Sequence, residues 1–461
     1  FTVIGIGDMS GDVFGNGMLL SPCIRLRAAF DHRHIFIDPE PDATRSFAER
    51  QRLFALPRSS WDDYDRTLIS LGGGVWSRSA KSIPLSPEIR AWLGSERSQL
   101  SPPELIHRLL QAPVDLLYNG GIGTYVKASQ QSHQEANDRG NDILRVDANQ
   151  LQARVIGEGG NLGLTQKARI EFATHGGHVI TDAIDNSAGV DCSDHEVNIK
   201  ILLSTLVSRG EMTGKQRDAL LATMTEDVGR LVLADNYLQT QAIALEVAAG
   251  KERLDAHGRL LRHLETHAGL QRDIEALPDE QALAERTQQK RALTAPEIAV
   301  LLAYVKISLK QTILASALPD ADDVHDLLVG YFPSALRESC ADSLPAHPLR
   351  REIIANQLVN RLVNRMGTTF VLQMEEETAA SAVDIAAAFH AANAVLDGEA
   401  LWQTLEALDL QLPSSRQYAL MHDLRALVAA ATGRLLAELA EARQPDLAML
   451  SVAMRELREL A

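Results

Sequence analysis

The residues best suited to chemistry stand near the start of the chain, where Gly5-Ile6-Gly7-Asp8-Met9-Ser10-Gly11 follows a short apolar run and leads into a helical pattern. A strand, a glycine turn and a helix start in that order form an anion-binding corner. The first amides of a helix lack backbone partners and can hold a group such as a pyrophosphate. The spacing is GxGxxxG, not the GxGxxG of the usual dinucleotide fingerprint, and glycines serve ordinary tight turns equally well. A further apolar run, His34-Ile35-Phe36-Ile37, ends in Asp38, an acid suited to accept hydrogen bonds from ribose hydroxyls. Its charge would repel a 2′-phosphate, so this reading favours NAD over NADP. The interval from Gly5 to Asp38 exceeds the usual roughly 20 residues, and Asp38 also suits a plain strand-end turn.

Three more polar, glycine-bearing turns follow apolar runs: Asn119-Gly120-Gly121-Ile122-Gly123-Thr124, residues 157–165 and residues 185–190. If the runs are parallel strands, all these turns fall at one sheet edge, where open α/β sheets bind ligands. Asn119 and Gly120 therefore join Gly5, Gly7, Asp8, Met9, Ser10, Gly11 and Asp38 as cofactor-binding candidates, with tight-turn chemistry as the alternative.

The elements that must position these groups are strands at residues 2–6, 34–38, 114–118, 154–157 and 178–181, most followed by a helical stretch. That alternation predicts an α/β fold, a Rossmann-like doubly wound parallel sheet over residues 1–200. Residues 39–112 are too many for one crossover and read as an inserted subdomain. They include Trp61-Asp62-Asp63-Tyr64, Gly72-Gly73-Gly74 and Ser77-Arg78-Ser79-Ala80-Lys81-Ser82. The last of these suits an anion contact or a solvated loop, and no site is assigned to it.

From about residue 200 the chain is rich in Ala and Leu, which predicts an all-α region over 201–461 that packs on the first and builds a homo-oligomer. Thr294-Ala295-Pro296-Glu297 is a capping-box start for a helix running to Leu314. Ile354, Leu358, Leu362 and Met366, four apart, form one buried face.

With 461 residues, 45% of them hydrophobic, the chain can fill several domain cores. Its 45 Lys and Arg against 61 Asp and Glu, and the lack of any basic run, argue against nucleic acid as a partner. No stretch has the roughly 18 apolar residues of a membrane span, and the start lacks a secretory signal pattern. The expected location is the cytoplasm, and Cys23, Cys192 and Cys340 suggest neither a disulfide framework nor a zinc site. The chain opens without Met inside a strand pattern, so an N-terminal part of the same polypeptide is expected upstream. Asp191, Asp194, His195 and Glu196 cluster without HExxH or a Cys pair, and acids favour helix starts anyway, so no metal is expected. Ser187 and Ser193 lack the GxSxG elbow of a hydrolase.

Gly157-Glu158-Gly159-Gly160-Asn161-Leu162-Gly163, followed by Asn186-Ser187-Ala188-Gly189-Val190 and on through Ser193 to Glu196, resembles glutamate dehydrogenase. In that family an EGAN-like turn precedes an NAGGV-VS-E stretch in the cofactor domain. Residues 5–17 and the helical tail look like the large NAD-specific bacterial subfamily. The resemblance implies oxidative deamination of L-glutamate to 2-oxoglutarate and ammonium, with hydride passing to NAD, as a step of amino acid catabolism. It also implies that Asn161 meets the nicotinamide ribose, Asn186 the nicotinamide or substrate region, and Ser193 a substrate carboxylate. Helix capping is the alternative for all three.

Two departures bear on the substrate pocket: Ala188 stands where the family has glycine, and Asp194-His195 replaces an aromatic pair. The family's catalytic lysines and acid lie on a preceding substrate domain, so no catalytic residue is assignable here. NAD binding without turnover is expected of this chain by itself. Other readings are an NAD-dependent dehydrogenase of another amino acid, or a non-catalytic NAD-responsive module whose helical region docks partners.

Overall fold

A computed structural model describes residues 1–441. They divide into two compact units, Phe1–Ser187 with Thr294–Pro296, and Ala188–Leu293 with the described residues from Glu297 onward. The first unit thus ends before residue 200, where the composition changes.

The first unit is built on six strands: β1 Thr2–Ile6, β2 Arg25–Phe30, β3 His34–Ile37, β4 Gly74–Ser77, β5 Leu116–Asn119 and β6 Val155–Glu158. Their order across the sheet is β6-β5-β1-β2-β3-β4. The first four in that order are parallel, while β3 runs antiparallel to β2 and β4 antiparallel to β3. The sheet is therefore mixed, which corrects the expectation of an all-parallel one. The cause is local. Only three residues separate β2 from β3, too few for the crossover that parallel strands need. Asp31 closes this turn by accepting the amides of Arg33 and His34 at 2.7 and 2.6 Å. Arg78 braces it with a guanidinium bond to the Asp31 carbonyl at 2.7 Å.

Both faces of the sheet are covered. Along β1, Val3 packs with Phe14 and Met18 of the helix Asp12–Leu19, Leu53 of Ala43–Ala55, and Trp61. Ile4 and Ile6 pack instead with Leu105, Ile106 and Leu109 of Pro102–Leu110 and Phe172 of Gln166–Thr174. The alternation follows from the two-residue period of a strand. Residues 39–112 are thus woven into the same core, not set apart as a subdomain, because β4 extends the sheet and Pro102–Leu110 covers it. The run at 178–181 is no strand. Only His178 bridges to Val155 at the sheet margin.

In the second unit every regular element among the described residues is helical. Helix Ala295–Leu314 starts and ends where the capping pattern and apolar run place it. Ile354, Leu358, Leu362 and Met366 are buried along Arg350–Met366, as their spacing requires. Charged groups are buried with them: Arg365 pairs with Glu399 at 2.5 Å and with Glu406, and lies over the Trp402 ring. No helix among the described residues is long and apolar enough to cross a membrane.

Candidate functional site

The parallel strands β6, β5, β1 and β2 end at one sheet edge, and backbone bonds stitch their turns together. The Gly7 amide donates to Phe30 at 2.8 Å, the Gly120 amide to Ile6 at 2.9 Å and the Gly160 amide to Asn119 at 2.9 Å. Gly7 has φ +139, and a Cβ there would lie 2.8 Å from Phe14, so only glycine fits without displacement. The Trp61 indole donates to the Gly7 carbonyl at 2.9 Å, fixing the turn from the segment 39–112. Met9 is buried beneath it, while the Asp8 carboxylate accepts the Ser10 amide and hydroxyl at 2.8 and 2.5 Å. Helix Asp12–Leu19 starts at Gly11, which offers no side-chain cap, so its leading amides are available to an anion.

Asp38 does not stand at this edge. Because β3 is antiparallel, its end pairs with Ala28, and the Asp38 amide bonds to Arg27, away from the Phe30 end of β2. Its buried carboxylate accepts from the Ser70 hydroxyl and amide and from the Glu40 amide. Burial, only partly offset by these bonds, pushes its pKa up. The acid that directly follows β2 at the edge is Asp31, with a donor atom within 4.8 Å of those of Asp8 and His32. It is buried, Oδ1 is held by the turn amides, and Oδ2, 3.9 Å from the Arg33 guanidinium, has no hydrogen-bond partner among the described residues. The sequence held a signal for it: Asp31 is nearer than Asp38 to the usual spacing of roughly 20 residues from the glycine turn.

Asn119 ends β5 at the same edge. It is buried, and neither amide atom of its side chain has a partner among the described residues. Buried amides are ordinarily satisfied, so these two atoms mark a place where polar contacts remain to be made.

The turn after β6 rests on a buried ionic network. Arg169 grips the fully buried Glu158 with two bonds of 2.7 and 2.9 Å and reaches Asp182 at 3.2 Å. Glu158 also receives the Leu164 amide, and Asp182 the Leu162 amide at 2.7 Å, which sets the backbone around Asn161. Asp185 accepts the Glu158 amide at 2.9 Å; burial first, then Glu158 and Asp182, raise its pKa to about 7. These acids are the second group that sequence reading passed over.

Asn161 and Asn186 come together as neighbours, the Asn186 amide donating to the Asn161 oxygen at 3.2 Å. Neither caps a helix start with that bond. Ser193 is exposed on the helix Ser187–Ser208 and donates to the Gly189 carbonyl at 3.3 Å, so it is no N-cap.

Together, the mixed α/β sheet and the polar turns on its parallel edge define an α/β protein whose candidate contact groups come from several loops. Residues 1–246 match the family model for the catalytic domain of bacterial NAD-glutamate dehydrogenase, and residues 290–437 that for the C-terminal part of glutamate dehydrogenase. The chain belongs to the bacterial NAD-glutamate dehydrogenase family. It is 51% identical to the NAD-specific glutamate dehydrogenase of Pseudomonas aeruginosa, covering 99% of this chain and 29% of that protein. The enzymes of the same name from Halomonas elongata and Mycobacterium tuberculosis are each 50% identical. Those alignments cover 94% and 93% of this chain and 27% of each relative. The chain therefore spans less than a third of the length of the relatives it matches.

Proposed function

We propose that residues 1–187 form a Rossmann-like cofactor domain, and that the chain supplies the NAD-binding half of an enzyme that oxidatively deaminates L-glutamate to 2-oxoglutarate and ammonium. The observation that carries this is the convergence of the Gly5–Gly11 turn, Asp31, Asn119 and the Asn161–Asn186 pair on one sheet edge. The residues fit a dinucleotide. The uncapped helix start suits a pyrophosphate, the Oδ2 of Asp31, paired at 3.9 Å with Arg33 but without a hydrogen bond among the described residues, suits ribose hydroxyls, and the Asn119 amide, also without one among them, can donate and accept.

Bound NAD supplies the hydride acceptor. Gly5, Gly7 and Gly11 shape the turn, Asp8 and Ser10 rigidify it, and Met9 anchors it in the core. Gly120 lets β5 approach the start of the first helix closely, since a Cβ there would lie 2.9 Å from Phe14. Asp31 takes the role first expected of Asp38, and its charge disfavours a 2′-phosphate. Asn161 and Asn186 orient the nicotinamide end as neutral amides, which adds no charge to the hydride path. Ser193 donates to a substrate carboxylate. No lysine of this chain is assigned to catalysis. The lysine-bearing substrate domain belongs to a further part of the polypeptide, and a homo-oligomer in the cytoplasm completes the proposal.

Calorimetric titration with NAD and NADP tests it, on the longest encoded form of the polypeptide and on Asp31→Ala and Asp38→Ala. Saturable NAD binding, weakened about tenfold or more by Asp31→Ala and unchanged in the folded Asp38→Ala protein, is expected. If Asp38→Ala weakens NAD and Asp31→Ala does not, the assignment of the ribose acid fails. If wild type binds no NAD, the cofactor reading fails.

A further inference from the structure

The helical unit holds a second group of polar side chains, and buried atoms of two of them have no hydrogen-bond partner among the described residues. Asp191 and His195 lie one turn apart on the helix Ser187–Ser208, and Asp235 comes from Thr225–Ala249. One donor atom from each lies within 4.8 Å of the other two. His195 is 1% exposed, yet neither ring nitrogen has a hydrogen-bond partner among the described residues. Its ring stacks on Tyr331 at 4.4 Å, which fixes its plane beside the two carboxylates. Oδ2 of Asp191 is buried without a hydrogen-bond partner among the described residues as well.

A histidine satisfied by its core ordinarily spends its one N–H on a carbonyl or carboxylate, as the buried His257 meets Glu246 at 3.1 Å in this same unit. His195 makes no such bond. The neighbouring acid, Asp194, is already engaged, since it accepts the Tyr331 hydroxyl at 2.8 Å. Lys306 stands on the Asp235 side of the group and partly offsets that carboxylate. The charged groups that bear on Asp191 are Asp235 and Asp194, both acids. A bound cation would satisfy the imidazole and both carboxylates at once.

We propose that Asp191, His195 and Asp235 form a site for a first-row divalent metal ion, clamping the helix Ser187–Ser208 to Thr225–Ala249. An imidazole with two carboxylates is a donor set for Zn²⁺ or Mn²⁺, whereas Mg²⁺ and Ca²⁺ prefer oxygen ligands alone. Metal bonds of about 2.0–2.2 Å require the three side chains to draw in by rotation. The sequence pattern hid the site because its third ligand is on a distant helix. Ser193, about 200° round the helix from Asp191, belongs to another face.

The test uses untagged polypeptide in its longest encoded form, stripped by chelator and then titrated with Zn²⁺, Mn²⁺ and Mg²⁺. Wild type is expected to bind about one more equivalent of Zn²⁺ or Mn²⁺ than His195→Gln or Asp235→Asn. Its Tm should rise with that metal while theirs does not, and Glu196→Gln, an exposed acid on the same helix, should behave as wild type. Pulsed EPR of wild type loaded with Mn²⁺ should show coupling to one imidazole nitrogen, a readout independent of whether the variants fold. Equal stoichiometry in wild type and the folded variants, no Zn²⁺ or Mn²⁺ binding, or bound Mn²⁺ without nitrogen coupling would overturn the proposal.

Discussion

In the sheet unit, Glu158, Arg169 and Asp182 stand under the turns that carry the candidate ligand groups, whereas in the helical unit Arg365 and Glu246 tie one helix to another. Both networks bury charge, and both need their partners to offset the cost of desolvation. They differ in what depends on them. Glu158 and Asp182 hold the amides of Leu164 and Leu162, so the backbone around Asn161 follows their position. Arg365 meets Glu399, Glu406 and Gln241, and Glu246 meets His257 and the Thr368 amide. One network shapes the candidate site; the other assembles a scaffold.

The largest expected effect comes from breaking the first network. Glu158→Ala leaves the buried Arg169 with Asp182 as its acidic partner and should cost about 3 kcal/mol by urea unfolding, with loss of NAD binding even where the protein is still folded. Arg365→Ala should cost about 2–3 kcal/mol, because Glu399 and Glu406 keep partial access to water, and should leave NAD affinity within twofold. Comparable loss of NAD binding in the two variants would break the comparison.

Acid should separate the units next. Asp185, lifted to about 7 mainly by burial, takes up its proton more readily folded than unfolded. Stability through it therefore rises as pH falls from about 7 towards 4 and levels off below that. Glu246 behaves oppositely. Burial works against its charged form, but the His257 bond with Arg425 and Arg253 outweighs this and holds it at about 2. Its contribution is whole above about 4.5 and is lost as pH falls towards 2. Each change is on the order of 3 kcal/mol. Hydrogen exchange read by mass spectrometry in β1 and in Arg350–Met366 should show β1 gaining protection between pH 7 and 5 while the helix stays level. Asp185→Asn should flatten the β1 response.

A smaller loss, about 2 kcal/mol, is expected for Gly7→Ala, from its positive φ and the approach to Phe14. Because Gly7 also shapes the turn, NAD affinity should fall by more than that stability change would suggest. An Ala at Gly214, where a Cβ meets nothing within 4 Å, serves as the control.

How much of this was legible in the sequence differs between the two units for physical reasons. Helices announce themselves locally: Ile354 to Met366 and the start at Ala295 followed directly from spacing and capping chemistry. Sheet order is non-local. β1 read as a strand from its own residues, but β2, Arg-Leu-Arg-Ala-Ala-Phe, hid its apolar side between two arginines whose guanidiniums bond to the Pro39 and Pro41 carbonyls. Without β2, β3 reads as the second parallel strand and Asp38, not Asp31, reads as the candidate acid. The edge itself was legible, because glycine-rich turns after apolar runs mark the carboxyl ends of strands whatever their order. The buried acids Asp182 and Asp185 were not, since burial and pairing across residues 158–185 depend on the finished fold.

The smallest effect sharpens the comparison furthest, because it separates function from stability on a single helix. Ser193 is exposed, and its hydroxyl reaches only the Gly189 carbonyl of its own helix. Such bonds add little to a helix, so Ser193→Ala should change stability by less than about 0.5 kcal/mol. If Ser193 donates to the substrate carboxylate, the same change removes a charge-assisted hydrogen bond and should raise the KM for glutamate about tenfold in the complete enzyme. The KM for NAD should stay put, since the groups assigned to the cofactor lie elsewhere. A raised KM for NAD with an unchanged KM for glutamate would move Ser193 to the cofactor side. No change in either would leave it an ordinary surface serine.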